Sequence, residues 1–165
     1  RYYYTIGGFG GAAEWRDENG NSAGNTPIHY GDGLIILTRD TAPKTISISG
    51  NVKIGPTNVP IYEGFNLISN PSPIENQLTL STSNLKDGLQ SGSAGTADIV
   101  YIPDGSGGFD RYYYTIGGFG GPAEWRDVDT HSNADNVLLP NSGSFFVARQ
   151  SGESSVMLPA DLPNP

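Results

Sequence analysis

Apolar and polar residues alternate along many short stretches of this chain, which predicts β-strands and almost no helix. The run LIILT at 34–38 predicts a buried strand, and residues 83–89 hold the only candidate helical turn. Glycine- and proline-rich turns separate the stretches and predict an all-β fold, an antiparallel β-sandwich or jelly-roll-like fold. The predicted strands are 2–6, 13–16, 34–38, 45–49, 52–54, 64–69, 78–81, 98–102, 111–116, 124–126, 144–149 and 155–158.

A long internal repeat runs through this pattern. The segment RYYYTIGGFGGAAEWRD at 1–17 returns at 111–127 with a single change, Ala12 to Pro122. The offset of 110 continues without a gap, so that Gly33 aligns with Gly143 and Arg39 with Arg149, although few other residues match. Self-similarity at a fixed period indicates a tandem-repeat protein, here with a repeat of about 110 residues.

The offset divides the chain into about one and a half repeats. Residues 1–50 are the second half of a first repeat, 51–160 are a complete repeat, and 161–165 are a tail. An isolated second half would leave apolar faces and strand edges open, which β proteins normally cover. We expect one of three covers: the rest of the chain, an earlier part of a longer chain, or strands from a neighbouring subunit. An arginine at position 1 separately leads us to expect a longer precursor that is processed before Arg1.

Composition excludes several classes of function. The net charge of −8 repels phosphate backbones, so we expect no nucleic-acid partner. No apolar run approaches the ~18–20 residues that span a bilayer, so we expect no membrane insertion. The absence of cysteine excludes disulfides, cysteine-ligated zinc and thiol catalysis. Abundant Ser, Thr, Asn and Gly with little Lys is typical of secreted surface proteins and predicts an extracellular location.

Several motifs of the complete repeat resemble a known family. GFNLISNP at 64–71 and GTADIVYIPDG at 95–105 are followed by FDRYYYT, EWRD and SGSFFVAR at 142–149. Together they resemble an uncharacterised family of secreted bacterial β-repeat proteins, and more loosely surface modules with a GWNLIGNP-type motif. The resemblance implies secretion and a β fold, but it supplies neither an activity nor any functional residue.

Catalytic and metal-binding patterns are sparse. His29 and His131 stand in no catalytic or metal spacing, and no serine lies in a nucleophile elbow. We therefore predict that the chain is not an enzyme and assign no catalytic or cofactor-binding residue. Two loops rich in oxygen ligands at equivalent places of the repeat leave calcium as a candidate ligand. Their candidate residues are Asp17, Asn19, Asn21, Asp127, Asp129 and Asp135.

Aromatic residues of the repeated hairpin are the remaining signal. Strand aromatics at such spacing build cores or subunit interfaces, and exposed ones can form sugar platforms. The candidate interface or platform residues are Tyr2, Tyr4, Phe9, Trp15, Tyr112, Tyr114, Phe119 and Trp125.

Two functions follow from these features. The first is an extracellular structural subunit that assembles with copies of itself, head to tail, into a fibre or pilus-like filament by strand complementation. The alternative is a secreted carbohydrate-binding or adhesive module in which the hairpins at 1–17 and 111–127 bind surface glycans.

Overall fold

The computed structural model describes residues 1–6, 11–38, 42, 45, 55–72, 78–118, 121–141 and 143–159. In this part of the chain the fold is all-β with antiparallel strand pairing, which confirms the predicted class. The strands are β1 (Tyr2–Thr5), β2 (Glu14–Asp17), β3 (Thr57–Ile61), β4 (Gly64–Ser69), β5 (Ile99–Pro103), β6 (Phe109–Thr115), β7 (Glu124–Asp127), β8 (Ser144–Arg149) and β9 (Ser154–Leu158). The predicted helical turn is a single 3-10 turn, Leu85–Asp87.

The described residues between 55 and 159 form a sandwich of two sheets. One sheet has five strands in the order β4-β8-β5-β6-β7, and the other pairs β3 with β9. Period-2 alternation aims one side of each strand at the shared interior. The core between the sheets includes Ile61 of β3, Leu158 of β9, Val100 of β5 and Phe145 of β8, all of them buried.

The first and second halves of this repeat interleave. Strand β8, from the second half, lies between β4 and β5 of the first half and pairs with both. Strand β5 also pairs with β6, and β3 with β9. Neither half therefore has a complete sheet or core without the other.

Strands β1 and β2 form a separate two-stranded sheet near the start of the chain. Further along, the segment 31–33 lies against the outer edge of β4. Ser69 donates its N–H to the Gly31 carbonyl (3.1 Å), and Gly33 donates to the Leu67 carbonyl (3.4 Å). A Cβ on Gly33 would lie 2.4 Å from the Leu67 Cγ, so the close approach requires glycine there.

The prediction of a buried strand at 34–38 is wrong. No strand forms there, and all five residues are exposed. The segment aligns with β8, which forms backbone hydrogen bonds with β4 and β5 of the first half. The first half in this chain is already occupied by β8, so the LIILT run has no place between its strands.

Other differences are smaller. Residues 78–81 form no strand and make only an isolated bridge, Thr79 to Leu138. Strand β3, which contains Pro60, was not predicted. A proline has no N–H to donate to a sheet, but β3 alternates regularly between buried and exposed residues and lies in a two-stranded sheet, where one edge needs no N–H donor. The predicted strands at 45–49 and 52–54 lie outside the described residues, apart from residue 45.

Candidate functional site

The first hairpin, β1–β2, is a local copy of the second hairpin, β6–β7. Tyr2 pairs with Asp17 and Tyr4 with Trp15 in the first hairpin, and the second repeats this register from Tyr112 onward. The Tyr4 and Trp15 rings lie 5.4 Å apart at 62°, and the equivalent rings of the second hairpin lie 5.4 Å apart at 61°. Near-identical sequence thus gives the same local geometry twice.

The glutamate and arginine of the second strand also repeat. The Arg16 guanidinium lies 2.8 Å from the Glu14 carboxylate, and the same distance joins Arg126 to Glu124. Both pairs lie within one strand and are partly exposed, as is usual for an ion pair at a protein surface.

Burial, in contrast, separates the two hairpins. Trp125 is 0% exposed and Tyr112 is 7% exposed, whereas Trp15 is 49% exposed and Tyr2 is 56% exposed. Aromatic side chains of this size dominate the energetics of cores and interfaces. The same chemical surface is therefore interior in the second hairpin and open in the first.

Both halves of the repeat contribute to the core that buries the second hairpin. Trp125 belongs to the cluster that contains Leu80, Leu85 and Leu89 of the first half together with Ala134, Leu139 and Phe145 of the second. Backbone hydrogen bonds fix the segment 78–89, since Leu80 donates to the Val137 carbonyl (2.9 Å) and Leu139 donates to the Leu78 carbonyl (2.8 Å). Burial also raises the pKa of the Tyr112 hydroxyl, with the nearby Asp110 and Asp127 carboxylates adding to the effect.

A buried carboxylate also ties the two halves together. Asp98 is fully buried in the first half and accepts from the Arg149 guanidinium (3.0 Å) of the second. Its oxygens also accept the N–H groups of Gln90 and Gln150, both at 2.8 Å. A buried charge of this kind needs all its partners. Arg39, which aligns with Arg149, lies outside the described residues.

The loops predicted to hold calcium use their carboxylates internally. Asp17 accepts from the N–H groups of Asn19 (2.9 Å) and Asn21 (2.8 Å) and from the Asn21 side-chain amide (3.0 Å). The Asn21 amide, together with backbone N–H groups of the loop, lowers the pKa of the Asp17 carboxyl. This is the geometry of an Asx-stabilised turn.

The equivalent loop of the complete repeat behaves in the same way. Asp127 accepts from the backbone N–H of Thr130, which lowers the pKa of its carboxyl, and Asp129 pairs with the Arg111 guanidinium. Asp135 accepts the backbone N–H of Trp125 (2.9 Å). Among the described residues, no three His, Cys, Asp or Glu side chains gather as metal ligands. Calcium binding stays a prediction.

The remaining hairpin candidates divide between core and surface. Tyr114 packs against the main core and Tyr4 is exposed. Phe9 and Phe119 lie outside the described residues. Because Trp125 and Tyr112 are buried, the second hairpin offers neither ring to a sugar in this fold.

A row of aromatic rings on the outer face of the five-stranded sheet was not predicted. It consists of Phe65, Phe146, Tyr101 and Phe109, one from each of four neighbouring strands. Ring centroids lie 5.5–6.4 Å apart and the rings are tilted by 52–86°. Phe65 is 71% exposed, so the row offers apolar surface to solvent.

No helix in the described part of the chain is long and apolar enough to cross a bilayer. Comparisons of the chain with protein-family models, with curated proteins and with solved structures find no match.

Proposed function

We propose that this chain is a structural repeat module of an extracellular assembly, in which copies of the repeat join head to tail. In such an assembly, the second half of one copy packs on the first half of another. The observation that carries the proposal is the contrast between Trp125, 0% exposed, and Trp15, 49% exposed, in hairpins of the same geometry. What covers the second hairpin indicates what would cover the first.

The partner of the first hairpin is accordingly a segment with the character of residues 55–110. It carries core leucines like Leu80, Leu85 and Leu89. It also carries two strands like β4 and β5, which pair with the strand between them as β4 and β5 pair with β8. The exposed run at 34–38 then takes the place that β8 has in the complete repeat. Along a series of repeats in which each first half receives one second half, every joint connects unlike surfaces, so the contact does not close on itself and propagates into a linear array.

The proposal is tested by adding another copy of the first half of the repeat to the chain. Residues 51–110 are fused ahead of Arg1, so that the extended chain holds two complete repeats. We expect small-angle scattering to show two compact modules in a row, and longer arrays to appear as rods in negative-stain micrographs. The matched control replaces Leu85 by Asp in the added copy only, where it should leave the first hairpin uncovered. An extended chain that resembles this control would contradict the proposal.

Carbohydrate binding is the second candidate function. It is favoured by the exposure of Trp15 and of the outer aromatic row, since the flat apolar faces of sugars pack on open aromatic rings. A glycan array of the full chain, with Trp15→Ala and Phe65→Ala variants, tests it. Loss of a bound glycan with unchanged far-ultraviolet circular dichroism supports this function, and a chain that binds no glycan excludes those on the array.

A further inference from the structure

We infer that the first half of the repeat, residues 55–110, is a common receptor that either hairpin can occupy. One copy of the chain can therefore exchange its second half with another copy. The inference rests on the proposed function and adds to it the identity of the receptor. Its basis is that the contacts holding the second hairpin use groups that the first hairpin shares.

The side-chain contacts come first. Tyr112, Tyr114 and Trp125 contribute the rings that the second hairpin adds to the core, and the first hairpin has the same residues at each position. The Lys86 ammonium lies 6.0 Å from the centre of the Tyr114 ring, a contact that Tyr4 would reproduce. No ring would be lost in an exchange.

The backbone contacts follow the same rule. Strand β5 pairs with β6 through Val100 opposite Tyr112, and Gly92 donates its N–H to the Tyr114 carbonyl (3.0 Å). These hydrogen bonds depend on strand conformation and not on side chains. Strand β1 has the same conformation and register as the matching part of β6.

Residues beyond the hairpin also have apolar counterparts. The loop after the second hairpin is one residue longer than the loop after the first, since Ala23 and Ala134 donate equivalent N–H groups to the Trp15 and Trp125 carbonyls. Interior Phe145 and Val147 of β8 therefore correspond to Leu34 and Ile36, and buried Leu139 corresponds to Ile28, all three apolar and exposed in this structure. The second hairpin is the one that occupies the receptor in the structure, so it is the preferred occupant in the unmodified chain.

Exchange becomes measurable when the second hairpin, which is the preferred occupant of the receptor, is weakened. These residues carry one first half and two second halves, so exchange in the unmodified chain only moves the uncovered half from one end to the other. Trp125→Ala weakens the second hairpin and leaves the first intact. Each chain then has one good second half and one receptor, in the order that links chains head to tail.

The experiment compares four chains of residues 1–165: unmodified, Trp15→Ala, Trp125→Ala and the double variant. Sedimentation velocity over a hundredfold range of concentration reports association. Acrylamide quenching in Trp125→Ala reports the environment of Trp15, which is then the only tryptophan. Trp125→Leu, a milder truncation that also leaves Trp15 alone, is measured alongside in case the alanine variant loses structure.

We expect the Trp125 variants to form oligomers that grow with concentration and to protect Trp15 severalfold from quenching. Trp15→Ala should stay monomeric, and the double variant should form no oligomers. Trp125 variants that are monomeric with an accessible Trp15 would overturn the inference, folded or not. Oligomers that persist in the double variant would overturn it as well, because they would be non-specific aggregates. If exchange fails while the chain extended by 51–110 gives two modules, the proposed function stands without it.

Discussion

The two tryptophans provide a matched pair for testing how the hairpins differ. A tryptophan side chain buries about 200 Å², and at about 25 cal/mol per Å² its removal from a closed core corresponds to about 5 kcal/mol. Measured Trp→Ala losses in cores are about 3–5 kcal/mol, which is the range expected for the fully buried Trp125. Trp15 lies outside the sandwich core, and its truncation leaves no cavity there. We expect its loss to change the free energy of unfolding of the sandwich by less than about 1 kcal/mol.

Urea unfolding followed by far-ultraviolet circular dichroism measures both values. The effect of Trp125→Ala is taken in the Trp15→Ala background, where the first hairpin cannot replace the second. Trp15→Ala in the unmodified chain is the control. Equal losses at the two positions would refute the claim that identical hairpins occupy different environments, as would a loss at Trp125 of less than about 1 kcal/mol.

Three further predictions concern the joints of the fold. Asp98→Ala leaves the arginine partner buried without its carboxylate and should lower the free energy of unfolding by about 3–5 kcal/mol in the same urea assay, and a loss within experimental error would contradict the buried ion pair. The pKa of Asp127 is lower in the folded chain than in the unfolded chain, so its contribution to stability is present above the unfolded pKa of about 3.9 and is lost as pH falls through the folded pKa. Thermal unfolding between pH 7 and pH 2 should therefore show a smaller acid loss for Asp127→Asn than for the unmodified chain, and identical pH profiles would contradict this. Gly33→Ala places a methyl group against Leu67 and should speed amide exchange at Ser69 by releasing 31–33 from β4, whereas unchanged exchange would show that the segment is not held there.

The strands were predictable because their period-2 patterns and turn residues are local. The predictions for 64–69, 144–149 and 155–158 lie within one residue of β4, β8 and β9. The shared geometry of the two hairpins was also predictable, since a near-identical sequence makes the same cross-strand pairs.

Burial was less predictable because it depends on partners far away in sequence. LIILT has the composition of a buried strand, and the sequence cannot show that the only first half in this chain is filled by β8. The outer aromatic row needed the strand order, which brings Phe65 of β4 beside Phe146 of β8. One signal was present for Tyr101 and Phe146, since each lies between two core residues of its own strand.

The central claim is that the first hairpin is an open second half that the first half of an additional copy of the repeat covers. The most direct test is acrylamide quenching of the two tryptophans, Trp15 and Trp125, in the otherwise unmodified chain, with and without residues 51–110 fused ahead of Arg1. The account predicts one accessible and one protected tryptophan without the fusion, and two protected tryptophans with it. An accessible tryptophan that persists in the fused chain would contradict it.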